Sequence, residues 1–235
     1  MSILSEVRLL EKLYDKEISI DPFVFDHIQP SSVDLTLNSK IKVPKKGYSE
    51  ILNIFDEVSE DIFEEVSLDR YTLEPGAFVL AQIKETIGIS KRYMGQIHNR
   101  NSLIRLGINV GLSTYINPGY CGKLPIVINN IGNFEIQLVP GMRICQLVVY
   151  DVEPESQRGY NERKDAKYFG ELDISLSKLH LDSEFIDYLT LYNKEHRNKI
   201  NTKDLMLFFE KRLKQKSIKI LDTLSPEERR SVGLK

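Results

Sequence analysis

The sequence predicts a mainly β protein: an antiparallel sandwich or barrel with an N-terminal helix and an α-helical C-terminal extension. Two observations carry this prediction. Short apolar runs recur between residues 33 and 150 without helical patterns between them, and three Pro-Gly pairs separate some of these runs. Proline fixes φ and glycine accepts a positive φ, so each pair is typical of a tight turn. Many short strands joined by such turns favour an antiparallel sheet over a parallel α/β sheet.

The predicted elements follow in order along the chain. Apolar residues in 3–15 recur at helical spacing, which predicts an amphipathic helix. From residue 31 the apolar residues alternate, which predicts a half-buried strand over 33–43. An acidic, exposed stretch is expected at 56–65. Further strands are predicted at 77–83, 94–97, 124–128, 134–139 and 143–150.

The pattern becomes helical again near residue 180. Apolar and aromatic residues such as Phe185, Leu189 and Phe208 recur at helical spacing among Lys and Glu, and Ser225-Pro226 is a typical helix start. We therefore divide the chain into a β domain, residues 1–175, and a helical extension, residues 176–235. The aromatic stripe within 182–235 is either a packing surface or a binding site for a protein partner.

Composition excludes several classes of protein. Apolar residues are 41% and charged residues 28%, so a globally disordered chain is excluded. A net charge of −2 does not favour a nucleic-acid partner. No run of about 18 apolar residues exists and the N-terminus carries acids, so we expect a cytoplasmic protein without a membrane contact. Two cysteines, Cys121 and Cys145, cannot form a disulfide framework.

Two kinds of chemistry are excluded by their motifs. Zinc-dependent nucleobase deaminases need a Cys-x-x-Cys pair and a Glu two residues after a metal ligand. Cys121 and Cys145 are far apart, and no Glu stands two residues after His98. A P-loop phosphotransferase is excluded because the chain has no Gly-x-x-x-x-Gly-Lys-Ser/Thr loop.

Two segments carry side chains suited to a nucleotide. Residues 99–107 place Arg100, Ser102 and Arg105 within one or two turns, and guanidinium forks and hydroxyls suit phosphate oxygens. Residues 158–168 mix cations with aromatic residues after the last predicted strand, and such a tail could close over a nucleotide. A solvated loop is the alternative interpretation of the second segment.

Six segments in order carry a resemblance to a known family: QPSSVDLTL at 29–37, PGAFVLA at 75–81, RNSLIRLG at 100–107, INPGYCG at 116–122, PGMRICQL at 140–147 and YNERKDAKY at 160–168. Together they resemble the dCTP deaminase and dUTPase superfamily over roughly residues 1–172. The last segment is similar to the deaminase branch. The glycine-rich closing motif of dUTPases is missing, since residues 171–232 contain no glycine.

The resemblance implies a distorted β jelly roll, assembled as a homotrimer, that takes a deoxynucleoside triphosphate with Mg²⁺ bound through the triphosphate and no metal ligand from the protein. It implies that Arg100, Asn101 and Ser102 hold phosphates and that Arg105 faces the same site. The closing tail would supply Tyr160, Lys167 and Glu171, where the deaminases usually have Gln at the last position.

Two departures from the family concern catalysis. Asn117 stands where the family usually has an Asp, and Val127 stands where the deaminases have the Glu that activates water. Attack of water on C4 of cytosine needs a base that takes a proton from the water and an acid that protonates the departing ammonia. Valine can serve as neither. Asparagine can still hydrogen-bond a sugar hydroxyl.

Two function hypotheses carry similar weight. The first is a dCTP deaminase-like enzyme that converts dCTP to dUTP without zinc, with Arg105 and Asn117 as its remaining catalytic candidates. The second is a catalytically silent nucleotide-binding or regulatory protein on the same trimeric scaffold. A dUTP pyrophosphatase ranks third, because both the Asp and the glycine-rich tail are missing.

Overall fold

The computed structural model of the protein describes residues 2–47, 52, 57–111 and 114–182. Residues 1–51 and 59–176 form the unit that carries the sheet, and residues 52–58 belong with those from 177 onward to a second unit. The predicted helices of 182–235, with Phe185, Leu189, Phe208 and Ser225, lie outside the described residues apart from Asp182. The domain boundary after residue 175 stays a prediction.

The described secondary structure is mainly β, with two α-helices. The helices are α1 (Glu6–Tyr14) and α2 (Asn101–Ile104). The strands are β1 (Ser2–Ile3), β2 (Ile18–Asp21), β3 (Ile28–Gln29), β4 (Ser32–Pro44), β5 (Phe63–Ser67), β6 (Tyr71–Leu73), β7 (Phe78–Ile89), β8 (Tyr93–Asn99), β9 (Ile108–Val110), β10 (Thr114–Ile116), β11 (Cys121–Asn130), β12 (Ile136–Leu138) and β13 (Arg143–Asp151).

The strands form one curled antiparallel sheet with the order β10-β8-β13-β4-β7-β11-β9. The short strand β1 pairs with β13, β2 pairs with β7, and β3 and β5 pair with β4. Strands β6 and β12 form a separate ribbon. The mainly β, antiparallel architecture predicted from the sequence is therefore confirmed. Within the described residues, no helix is both long and apolar enough to cross a membrane.

The three Pro-Gly pairs form turns of one type. In each, the residue after glycine donates its N–H to the carbonyl of the residue before proline, and glycine has a positive φ, as a type II turn requires. The three φ values are 74°, 79° and 77°. Ala77 donates to Glu74 at 3.1 Å, Tyr120 donates to Asn117 at 3.1 Å, and Met142 donates to Val139 at 3.3 Å.

The core draws buried apolar residues from strands along the whole sheet, and β4 lies at the middle of the strand order. Leu35, Leu37 and Ile41 have no exposed surface. The prediction of a half-buried strand over 33–43 is wrong for residues 33–37, which are all buried. The reason is that β13 and β7 flank β4, and polar side chains of Asp34 and Thr36 are covered by partners from the other strands.

Two further elements differ from the prediction. The strand predicted at 134–139 is shorter and spans only Ile136–Leu138. The reason is that the Phe134 carbonyl accepts a hydrogen bond from the Asn130 side chain at 2.8 Å, and Glu135 is exposed and lies outside the strand. The short helix α2 interrupts the strands where no helix is predicted. The predicted N-terminal helix is confirmed as α1, which Ser5 caps.

Candidate functional site

The first group of predicted site residues lies on the turn formed by α2. The Arg100 carbonyl accepts hydrogen bonds from the N–H groups of Leu103 and Ile104 at 2.9 and 3.1 Å, which closes this turn. Buried Leu103 anchors the turn to the core. The exposed side carries three predicted residues, namely Asn101, Ser102 and Arg105.

A glycine contact ends this turn. Gly107 has φ +84°, and a Cβ there would lie 2.7 Å from the N atom of Gly132. Only glycine has both this conformational freedom and the absence of a side chain. The close approach of two backbones therefore fixes the exposed turn of residues 100–105 against the loop after β11.

A buried carboxylate holds the arginine that precedes α2. The Asp34 side chain is 2% exposed, and its Oδ1 lies 3.5 Å from Nε of Arg100. Its Oδ2 accepts a hydrogen bond from Nη1 of Arg143 at 3.0 Å, and Gln146 donates to Oδ1 at 3.1 Å. The Arg100 Nη1 atom donates to the Arg143 carbonyl at 3.0 Å. A buried charge needs such partners, so Asp34 fixes both guanidinium groups.

The second group of predicted residues joins the turn at Asn117 to the C-terminal tail. The Tyr160 N–H donates to the Pro118 carbonyl at 2.7 Å. A Cβ on Gly119, at φ +79°, would lie 2.8 Å from Oδ1 of Asn161. The rings of Tyr120 and Tyr160 are 6.1 Å apart and tilted by 41°. Backbone and ring contacts together hold the tail against this turn.

The end of the tail pairs with the start of β11. Gly170 donates to the Cys121 carbonyl at 2.8 Å, and Lys123 donates to the Glu171 carbonyl at 2.7 Å. Glu171 is 9% exposed. Its Oε1 accepts hydrogen bonds from the hydroxyl and the N–H of Ser175, and its buried Oε2 has no hydrogen-bond partner among the described residues. The Glu171 side chain thus closes the loop of residues 171–175 instead of pointing into open solvent. Lys167 is half-buried, and its Nζ lies 5.9 Å from the centre of the Tyr168 ring.

Burial raises the pKa values of two side chains, Tyr120 beside the tail and Cys145 in β13. Burial, followed by the negative charge of Glu171, raises the pKa of the Tyr120 phenol well above its ordinary value. Burial, followed by the charges of Glu85 and Asp34, raises the pKa of the Cys145 thiol in the same direction. Both groups are therefore neutral at physiological pH.

Val127 lies on the outward side of β11 and is 36% exposed. Leu80 is its partner across β7, and Pro125 and Asn129 are its neighbours on the same side of the strand. None of these three residues carries a carboxylate.

Within the described ranges, no group of three or more His, Cys, Asp or Glu side chains could hold a metal ion.

The structure thus places the predicted residues in two groups. One contains Arg100, Asn101, Ser102 and Arg105, and the other contains Asn117, Tyr160, Lys167 and Glu171. No described hydrogen bond or ion pair joins Arg100 or Arg105 to Tyr160 or Glu171. Sequence reasoning gave no role to Asp34 or Arg143. Asp34 occupies an ordinary polar position in an alternating strand, and its hydrogen-bond partners Arg143 and Gln146 are 109 and 112 positions away, so no signal in the sequence pointed to it.

Comparison with solved structures shows the class of fold. A dCTP deaminase from Agrobacterium tumefaciens aligns with a TM-score of 0.51 at 23% identity, over 64% of this chain and 48% of that chain. This chain therefore spans about half the length of that structure. The curled half-barrel sheet is of the dUTPase-like type.

Comparison of sequences shows the family. The model of the dCTP deaminase-like family matches residues 3–152. A dUMP-forming dCTP deaminase of Nanoarchaeum equitans is 32% identical over 197 residues, which cover 77% of this chain and 98% of the relative. Another, from Dictyoglomus turgidum, is 33% identical over 189 residues, covering 77% and 96%. The chain belongs to the dCTP deaminase-like family, within the dUTPase-like superfamily.

Proposed function

We propose that this protein binds a deoxynucleoside triphosphate, with dCTP as the first candidate, and that hydrolytic deamination of dCTP to dUTP without zinc is its reaction. The observation that carries the proposal is the exposed turn at residues 100–105. There Arg100 is oriented by a buried carboxylate, and Ser102 and Arg105 are exposed beside it. Guanidinium groups and a hydroxyl in one turn suit the oxygens of a triphosphate.

The second group of residues would bind the nucleoside. In this proposal the Asn117 side chain hydrogen-bonds the deoxyribose, and Tyr160 and Lys167 close over the nucleotide from the tail. Glu171 is buried beneath its own loop, so its contribution is to fix the tail on β11. In solution we expect a homotrimer, which light scattering would test.

Mg²⁺ would accompany the nucleotide through its phosphates. The carboxylate nearest to Arg100 belongs to Asp34, and its two oxygens are already taken by two arginines and an amide. We therefore expect the phosphates and water, and not Asp34, to hold the cation, since Mg²⁺ in proteins keeps several waters and binds substrate phosphates.

A second candidate function is a nucleotide-binding protein without catalysis. The observation that favours it is the outward position of Val127, whose cross-strand and same-side neighbours offer no base for water. General acid–base help contributes about 10²- to 10⁴-fold to such reactions, so its loss would leave binding and remove most turnover. A dUTP pyrophosphatase is the third candidate.

The test is a series of incubations and titrations. Purified protein with Mg²⁺ is incubated with each common deoxy- and ribonucleoside triphosphate, and the products are separated by ion-exchange chromatography. Conversion of dCTP to dUTP or dUMP supports the enzyme, and binding of dCTP without conversion supports the silent protein. Arg105→Ala should weaken dCTP binding at least a few-fold, whereas Arg70→Ala, a matched exposed arginine on another loop, should not. If no nucleotide binds, the proposal is wrong.

A further inference from the structure

Two guanidinium groups share one buried carboxylate at the edge of the exposed turn. Arg100 contacts Oδ1 of Asp34 and Arg143 contacts Oδ2, at 3.5 and 3.0 Å. The carboxylate itself is 2% exposed, while the arginine side chains are 22% and 43% exposed. One negative charge therefore lies beneath two positive charges, and the excess charge faces solvent.

Both arginines keep donors for a ligand. Arg100 uses Nε for Asp34 and Nη1 for the Arg143 carbonyl, and Arg143 uses Nη1 for Asp34. Among the described residues, neither Nη2 atom has a protein partner. A guanidinium carries five N–H donors in a planar fork, so most of the donors of this pair are available to oxygens of an anion.

We propose that Arg143 is a further triphosphate-binding residue that acts together with Arg100, and that Asp34 is the positioning residue that holds both. This inference rests on the proposed function, which gives a phosphate role to Arg100 but none to Arg143. The physical reason is that two cations held on one anion repel each other, and a polyphosphate across their free donors removes that repulsion. Arg143 comes from β13, and Arg100 directly follows β8, which pairs with β13.

A purely structural role for Arg143 would be an ion pair with Asp34 and nothing more. Such a pair would affect the amount of folded protein and leave the preference among nucleotides unchanged. A phosphate-binding role predicts instead that the preference for dCTP over dCMP depends on Arg143, because dCMP lacks the outer two phosphates. The ratio of the two dissociation constants therefore separates the two roles.

The experiment is isothermal titration of Mg²⁺-dCTP and of dCMP into the wild type and four variants of the full chain. The variants are Arg143→Gln, Asp34→Asn, Arg100→Gln and the control Arg92→Gln. Arg92 is a matched control because its half-exposed side chain also pairs with a carboxylate, that of Asp151 at 3.4 Å. If the protein turns dCTP over, KM and kcat are recorded separately.

Arg143→Gln should weaken dCTP binding about 10-fold and change dCMP binding much less, since one charge-assisted contact to phosphate is lost. Asp34→Asn should also reduce the preference for dCTP over dCMP, because the two arginines lose the carboxylate that positions them. It should do so although the substitution adds net positive charge. Arg92→Gln should bind both nucleotides as the wild type does.

Two results would overturn the inference, and they differ from each other. If Arg100→Gln loses dCTP affinity while Arg143→Gln keeps the wild-type ratio, the proposed function stands and Arg143 is only structural. If the wild type binds no triphosphate, both the proposed function and this inference fail. Poor folding of a variant lowers the number of binding sites per chain but not the ratio, so it cannot imitate the expected result.

Discussion

A glutamate in place of Val127 should supply a general base at the position where the deaminases carry one. Val127 is 36% exposed, and its neighbours Pro125 and Asn129 carry no charge, so a carboxylate here keeps contact with water. The structural cost is therefore small. Strand preferences span about 1 kcal/mol, which is the destabilisation we expect from Val127→Glu. A gain of the general base predicts a rise in dCTP deamination of at least about 10²-fold.

The assay compares Val127→Glu with Val127→Gln at equal protein concentration. Gln has nearly the shape of Glu but cannot take a proton from water, so the comparison isolates the base. Ammonia release from Mg²⁺-dCTP is followed with time, and dCTP binding is measured for both variants. The double variant with Asn117→Asp is added because the family usually has an acid there, and it should be at least as active as Val127→Glu.

One result would refute this reasoning. If Val127→Glu folds, binds dCTP with the affinity of Val127→Gln, and releases ammonia no faster, then a base at position 127 does not reach the water that attacks the nucleobase. The assignment of Val127 to the catalytic position would then be wrong. Comparable affinity is the essential control, since a loss of binding would hide a gain in chemistry.

Two further predictions concern the tail and pH. Gly119→Ala should loosen the tail and speed proteolysis there, because its Cβ would lie 2.8 Å from Asn161 Oδ1. Gly76→Ala, at φ +74° with no atom within 4 Å, adds only backbone strain and should leave that rate unchanged; equal rates would contradict this. The raised pKa values of Tyr120 and Cys145 mean that the folded state holds these protons more tightly than the unfolded state does. The free energy of unfolding should therefore fall as the pH rises above about 9, and Tyr120→Phe should reduce the fall above about 10. If the wild type and Tyr120→Phe lose the same free energy of unfolding over that pH range in denaturant titrations, Tyr120 makes no such contribution.

Local chemistry explains which parts of the fold could be predicted. Each Pro-Gly turn depends on four consecutive residues, and all three form as expected. The helical period of α1 likewise lies within one segment. In contrast, α2 has only four residues, which is too short for a periodic pattern to reveal. The burial of both faces of β4 depends on β13 and β7, which are distant from β4 in the sequence.

The candidate site shows the same division between near and distant residues. The cations of residues 100–105 are visible in one motif, so their clustering is a local property. The pairing of Asp34 with Arg143 joins positions 109 apart, and only the register of β4 against β13 brings them together. The burial of Glu171 arises from Ser175 and from the pairing of the tail with β11, which no single motif contains.

The outward position of Val127 has a consequence for how such a protein could change over generations. The side chain contributes little to the core, and the contacts of Asp34 and of the tail are made by other residues. Valine and glutamate codons can differ by one middle base, so a single transversion could remove or restore a carboxylate while the fold is preserved. Selection on turnover and selection on nucleotide binding can therefore act on separate positions of the same gene.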